Sequence, residues 1–387
     1  MEYAYYPGCS LEATGRPYDV SLRLVFQRLG IGLKEIEDWN CCGATSYISM
    51  NKLTAYSLTA RNLAYAERMG LDVCAPCSSC FTILSKVNRH MRWGEEHKAH
   101  INEVLAAAGL SYSASLEVLH PLGILVDFYG IERIQERVVR RLEGLKVAPY
   151  YGCQIVRPQG RFDDREDPQQ LDNLFAALGA DVVPFPMKVR CCGGMLMTSY
   201  EDVALKLNRD ILTAASDAGA DVVVTTCPLC QINLEAYQDR INKVYGERFH
   251  MPVIYFTQLL GLALGLSREE LKLDEKVVPL PTTDQRRIEV HAGATASPPA
   301  TAHASASTSA TAAPTSPRPW MWPKWRRRRP SSPVWLSRGT TGSCAPIPAR
   351  SSFRRTSASR ASRESSWRRA APSCTSRRSV RRWSAPA

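Results

Sequence analysis

The chain has no apolar run long enough to cross a bilayer: its most hydrophobic stretch, VIYFTQLLGLALGL at positions 253–266, is shorter than the roughly 20 residues a spanning helix requires. Its start, MEYAYYPGCS, lacks a basic segment followed by an apolar one. No signal peptide is read there, and a cytoplasmic protein without a membrane span is expected. A ferredoxin-type CxxCxxCxxxCP run is also absent, which argues against ordinary cubane clusters. Acidic residues are nearly missing from one region. Residues 283–387 carry 20 Lys and Arg against 3 Asp and Glu, a net charge of +17, whereas the whole chain carries only +12. Residues 1–282 are therefore left at −5. A mildly acidic body is a poor match for a phosphate backbone, so no nucleic-acid partner is expected.

The basic region is unusual in other ways. It has no Tyr, a single Lys (Lys324) against 19 Arg, and six of the eight Trp, among runs of Ser, Ala and Pro. A genuine disordered interaction arm would have this charge, but such arms are poor in Trp. A shift of reading frame accounts for the composition better. Read one base earlier with suitable free bases, Ala304 to Arg327 can encode IGVYVCHCGTNIAATVDVAEVAE, and Gly339 to Ala358 can encode DYRFMCSDSGQELIQEDIR. Residues 283–387 are accordingly read as a low-complexity, disordered tail produced by a frame-shift, with Cys344 and Cys374 as chance cysteines.

What the sequence does have is cysteine, 13 in all. In a reducing compartment so many thiols point to metal or redox chemistry rather than to a disulfide framework. Ten of the eleven cysteines of the body fall into a tandem repeat. The first copy runs from YYPGC at Cys9 through the adjacent pair Cys41 and Cys42 to APCSSC at Cys77 and Cys80. The second runs from YYGC at Cys153 through Cys191 and Cys192 to TCPLC at Cys227 and Cys230. The intervening lengths are 31 and 34 residues in the first copy and 37 and 34 in the second. Adjacent cysteines do not readily bond to each other, because the ring they would close is strained.

The patterning places these cysteines on loops at strand ends. GADVVVTTCPLC and LDVCAPCSSC are apolar runs that stop at a cysteine pair, and the stretches that follow them, QINLEAYQDRIN and FTILSKVNRHM, have helical periodicity. RPYDVSLRLVFQRLG and QQLDNLFAALG likewise read as helices that stop at glycine. Strands alternating with helices predict an α/β fold with parallel sheets and ligands at the carboxyl ends of the strands.

Five thiolates per copy exceed the four ligands of a structural zinc, and each copy offers one distant cysteine, an adjacent pair and one CxxC rather than the two CxxC pairs of a zinc signature. Iron–sulfur clusters can use five, since thiolate selects them and an adjacent pair can hold two irons at one corner. The glycine after each pair, Gly43 and Gly193, removes a side chain where backbone would approach a cluster.

This repeated motif resembles that of the CCG-domain proteins, and most closely the B-type subunit of heterodisulfide reductase, over residues 1 to about 280. The resemblance implies two tandem homologous CCG domains at 1–146 and 147–282, each a small parallel sheet with flanking helices, related by pseudo-twofold symmetry. It implies two non-cubane [4Fe-4S] clusters, one held by Cys9, Cys41, Cys42, Cys77 and Cys80, the other by Cys153, Cys191, Cys192, Cys227 and Cys230. It also implies a disulfide substrate lying between them, either the mixed disulfide of coenzyme M and coenzyme B or a related bacterial disulfide, reduced to two thiols. The partners implied are the other members of such a complex, its cubane-carrying iron–sulfur protein (the C-type subunit) together with its flavoprotein (the A-type subunit). The shifted-frame strings resemble the start of that flavoprotein. Both motifs are complete, which favours the catalytic branch. The alternative is a non-catalytic electron-transfer or docking component of a respiratory dehydrogenase complex.

Other residues are read plainly. His120, before Pro121, is taken as a structural histidine at a helix start, with a cavity-lining or proton-donating role as its alternative. Thr257 is taken as its counterpart and an N-cap. Cys74 is read as a buried structural thiol rather than a sixth ligand. Thioredoxin-like dithiols at Cys77/Cys80 and Cys227/Cys230 would leave the adjacent pairs without a purpose.

Overall fold

The computed structural model describes residues 1–44, 47–158, 162–275 and 277–280, all within the compact unit Met1–Ala302. The region 283–387, with the frame-shift reading and with Cys344 and Cys374, lies outside the described residues.

Two four-stranded sheets carry the duplication. The first is built from β1 (Glu2–Tyr5), β2 (Gly32–Glu35), β3 (Val73–Cys74) and β4 (Val118–Leu119) in the order β2-β1-β3-β4. The second is built from β5 (Lys146–Tyr150), β6 (Asp181–Val182), β7 (Val222–Thr225) and β8 (Val253–Tyr255) in the order β6-β5-β7-β8. Every pairing is parallel. Val222, Val223 and Val224 are all fully buried, as continuous apolar strands are when helices cover both faces of a sheet.

The helices follow from spacing and caps. Arg16–Leu29 buries Tyr18, Leu22, Val25, Phe26 and Leu29 along one stripe and stops at Gly30, which takes a left-handed conformation. Lys52–Met69 starts at Asn51, whose side chain accepts the Thr54 N–H, and stops at left-handed Gly70. Glu201–Asp217 is its counterpart in the second copy.

One buried apolar cluster spans both copies, and a second lies within the second copy alone. Helix Arg16–Leu29 of the first copy packs on Phe256–Ala263 of the second. There the Tyr18 and Tyr255 rings stack at 4.6 Å, and Ser21 Oγ and Thr257 Oγ1 lie 2.6 Å apart. This corrects the reading of Thr257. The N-cap of Phe256–Ala263 is Tyr255, and Thr257 is held inside the helix, where its hydroxyl is committed to the other copy. Cys74 sits on β3, fully buried, and burial raises its thiol well above the ordinary range.

Candidate metal centre

All ten motif cysteines lie beyond the carboxyl ends of strands, although not all on loops. Cys9 belongs to the short helix Gly8–Glu12 after β1. Cys77 is the N-cap of Ser78–Trp93, and Cys80 lies in its first turn. Cys227 and Cys230 hold the same two places on Pro228–Glu235 after β7. A helix N-terminus is where a thiolate is favoured. The adjacent pairs are on loops, with Cys42 and Cys192 buried and Cys41 and Cys191 more accessible.

Several contacts recur from one set to the other. Cys42 Sγ lies 3.2 Å from Cys80 Sγ, and Cys192 Sγ lies 3.5 Å from Cys230 Sγ. The N–H of Gly43 points at Cys41 Sγ (3.5 Å), and that of Gly193 at Cys191 Sγ (3.3 Å). Thr59 donates to the Cys42 carbonyl at 2.7 Å, and Asn208 donates to that of Cys192 at 2.8 Å. The glycine that makes room for sulfur is the one before the first cysteine. Both Gly8 and Gly152 have positive φ, and a Cβ there would lie 3.1 Å from Cys80 Sγ and 3.0 Å from Cys230 Sγ. The glycine after the pair instead faces a following helix: Ala204 stands 3.1 Å from where a Cβ on Gly193 would be.

One tyrosine ties each set together. Tyr6 donates to the Asn40 carbonyl (2.8 Å) and Tyr150 to the Arg190 carbonyl (2.7 Å), in each case the residue before the adjacent cysteines. Burial first, and then the sulfurs of Cys80, Cys42, Cys41 and Cys9, push the Tyr6 hydroxyl far above its ordinary value. Tyr150 is pushed the same way by burial and then by Cys230, Cys192, Cys153 and Cys191. Four sulfurs of each set thus act on one tyrosine hydroxyl. The signal was present in the sequence, since both YYPGC and YYGC place a tyrosine two residues before the glycine.

Neighbouring thiols share protons. A hydrogen bond from Cys41, with Cys80 second, holds Cys42 well below the thiol range, while Cys42 pushes Cys41 up. In the second copy the Cys153 hydrogen bond brings Cys191 down to about 6. Cys227 is lowered by Cys230 and then by Cys77, which is itself raised by Cys227. The first cysteines of the two CxxC segments are therefore electrostatic neighbours. His120 holds these segments together. It is buried, Nδ1 accepts the Leu122 N–H at 3.1 Å, and Nε2 faces the Pro76 carbonyl (3.0 Å) and the Thr226 carbonyl (3.4 Å), each just before a CxxC cysteine. Burial lowers its pKa to about 4, so the ring is neutral and Nε2 carries the donor proton.

One cavity of about 400 Å³ is lined by Cys153, Cys191, Cys192, Cys227 and Cys230, and is closed by first-copy residues that include Ser78, Thr82 and Lys86. None of the first copy's cysteines lines it. Among the described residues, no three His, Cys, Asp or Glu side chains converge as on a single metal ion. The fit to iron–sulfur clusters rests on donor chemistry, thiolates only, and on the space kept free by Gly8 and Gly152.

Comparison with known proteins agrees. The profile of the cysteine-rich CCG domain matches residues 3–85 and 147–235. The 8-methylmenaquinol:fumarate reductase membrane anchor subunit of Wolinella succinogenes is 37% identical over 279 residues, which is 72% of this chain and 97% of that one. The B-type subunit of the ferredoxin:CoB-CoM heterodisulfide reductase of Methanosarcina mazei is 32% identical over 276 residues, 70% of this chain and 92% of that one. A hypothetical protein from Helicobacter pylori has the same fold, with a TM-score of 0.60 at 15% identity over 73% of this chain and 52% of that one. The chain belongs to the CCG cysteine-rich domain family that includes the B-type subunit of heterodisulfide reductase.

Proposed function

We propose that this chain is the disulfide-reducing subunit of a heterodisulfide reductase complex. Membership of the family carries an electron-transfer role and implies iron–sulfur clusters. The finer assignment is a non-cubane [4Fe-4S] cluster on each set of five cysteines, Cys9, Cys41, Cys42, Cys77 and Cys80 for one and Cys153, Cys191, Cys192, Cys227 and Cys230 for the other. The observation that carries it for the second set is the cavity of about 400 Å³, walled on one side by all five second-copy cysteines and on the other by first-copy residues; the first set is assigned by its repetition of the same sulfur and tyrosine contacts. When bound, the clusters supply electrons and a Lewis-acidic place for a leaving thiolate. Cysteine sulfurs hold them, Tyr6 and Tyr150 fix the loops, and His120 keeps the two CxxC segments in contact.

The overall change is RS–SR′ + 2e⁻ + 2H⁺ → RSH + R′SH, the electrons coming from a low-potential iron–sulfur donor. In the proposal the iron–sulfur protein of the complex, fed by its flavoprotein, fills that role, with the complex in the cytoplasm. Among the described residues no helix is long and apolar enough to cross a membrane. The mixed disulfide of coenzyme M and coenzyme B and a related bacterial disulfide both fall within this class. The division at 1–146 and 147–282 is kept as the domain assignment, with 283–387 as a tail outside it.

A second reading is a non-catalytic electron-transfer or docking role, favoured by the 37% identity to a membrane anchor subunit. Anaerobic loading with iron and sulfide, followed by partial oxidation with and without candidate thiols, separates the two. A thiol-dependent paramagnetic signal together with viologen-driven disulfide reduction is expected. Loaded protein that gives neither leaves the docking reading standing.

A further inference from the structure

A second cavity, of about 720 Å³, adjoins the first, and Thr82 and Lys86 line both. Its walls carry Lys86, Arg89, Arg92 and Arg157 against one carboxylate, Glu117, and that carboxylate is engaged by Arg92 at 2.9 Å. Arg157 leans on the cysteine set itself, donating to the Cys153 carbonyl at 3.2 Å. Ser85, which also lines the cavity, keeps a buried hydroxyl without a hydrogen-bond partner. The positive field is felt by His90 on the same wall. Burial and then His97, Lys52, Lys86 and Arg89 hold that ring below its ordinary pKa. Trp93, Val118 and Pro158 supply apolar surface beside the charges.

Ser78, Thr82, Lys86, Arg89 and Trp93 succeed one another at helical spacing on Ser78–Trp93, whose N-cap is Cys77. The stripe therefore leads from the cysteines outwards. From Ser78 to Arg89 the axial rise is about 16 Å. The second copy has no equivalent stripe of this length, because Pro228–Glu235 is only 8 residues long.

We propose that this cavity is an anion subsite, which takes the carboxylate- or phosphate-bearing arm of a disulfide whose sulfurs lie in the cysteine cavity. This rests on the disulfide-reductase reading for the word disulfide, but not for the anion. Lys86 and Arg89 supply the charge, Ser85 a further donor, and Trp93 covers the apolar part of the arm. Guanidinium and ammonium groups bind oxyanions through charge-assisted hydrogen bonds, which are the stronger class.

The test uses the loaded full chain and three probes in calorimetric titration: glutathione disulfide, which is anionic, neutral bis(2-hydroxyethyl) disulfide, and inorganic pyrophosphate, which has no disulfide. Wild type is expected to bind glutathione disulfide and pyrophosphate at least about tenfold more tightly than the neutral disulfide, and to lose that preference with rising salt. Lys86→Glu/Arg89→Glu is expected to abolish the preference, and Arg89→Lys to keep most of it, which shows that the fold survives substitution there. Equal binding of charged and neutral disulfides, or a preference that outlives the double variant, overturns the subsite. Should pyrophosphate binding vanish in the double variant while no disulfide is ever turned over, the anion site stands and the reductase reading falls.

Discussion

In the first copy Ile83 stands three residues after Cys80, while in the second Asn233 stands three residues after Cys230. Ile83 is buried and offers its sulfurs nothing but packing. Asn233 donates to the Gly194 carbonyl at 2.8 Å and points the same amide at the Cys192 carbonyl (3.3 Å) and sulfur (3.6 Å). Gln154 adds a contact to Cys153 Sγ at 3.7 Å, where the first copy has Ser10 after Cys9. The sets thus share sulfurs, tyrosine and glycines, and differ in polarity and in the open space beside them. Duplication has kept the cysteines and let the surroundings diverge. Hydrogen bonding to sulfur, burial and solvent access are the terms that tune iron–sulfur sites.

The largest way to break this comparison is to remove one set. Cys42→Ser and Cys192→Ser each delete a buried thiol, lowered by its neighbours in the case of Cys42, from a set in which sulfurs are in contact. Each variant should lose about half of the bound iron and acid-labile sulfide, with a different half of the paramagnetic spectrum surviving in each. If either single change empties both sites, the sets are not independent nests and the assignment of five cysteines to each is wrong.

His120 comes next, because it belongs to neither set alone. Its pKa is depressed in the fold, to about 4, from about 6.5 in an unfolded chain. The neutral ring is the folded form. Its contribution is therefore fully present above pH 6.5 and is lost as the pH falls through the window down to about 4, a total on the order of 3 kcal/mol. His120→Asn should remove that slice of acid sensitivity while costing about 1–3 kcal/mol at neutral pH through the unpaired Pro76 and Leu122 groups. Denaturant unfolding at a series of pH values reads both. A variant that keeps the wild-type slope between pH 6.5 and 4 would locate the acid sensitivity elsewhere.

Smaller, and specific to each copy, is the glycine before the first cysteine. Gly8→Ala and Gly152→Ala force a side chain into a left-handed backbone, at about 1–2 kcal/mol, and bring a methyl to 3.1 and 3.0 Å of a sulfur. Loss of iron from the substituted copy should exceed what the stability change alone predicts, and equal loss from both copies would break the comparison.

The duplication, the parallel sheets and the grouping of cysteines beyond strand ends were legible because Gly-Cys, Cys-Cys-Gly and CxxC recur at nearly constant spacing, and because runs such as ADVVVTT cannot pair any other way so economically. What was not legible depends on contacts across the repeat. His120 meets the carbonyls of Pro76 and Thr226, and Thr257 meets Ser21, across separations in the chain that no local pattern encodes. The reading of Gly43 and Gly193 as glycines where backbone approaches the sulfurs names only part of the pattern. Their backbone N–H groups do meet the sulfurs, but an added side chain there would meet a following helix, whereas at Gly8 and Gly152 it would meet a sulfur.

The finest distinction between the sets is electrical. An amide N–H beside a cysteine sulfur stabilises the more negative, reduced state, so the second copy's site should have the higher potential. A hydrogen bond is worth about 1 kcal/mol, which for one electron corresponds to about 40 mV. Asn233→Leu should therefore lower the second site by tens of millivolts and leave the first in place. Ile83→Asn, which gives the first copy the second copy's residue, should raise the first site by a similar amount if its amide reaches Cys42 as Asn233 reaches Cys192. Redox titration followed by the paramagnetic signal of each site reads both shifts. Potentials that ignore both substitutions would show that solvent access through the cavity beside the second set, rather than the amide, separates the two sites.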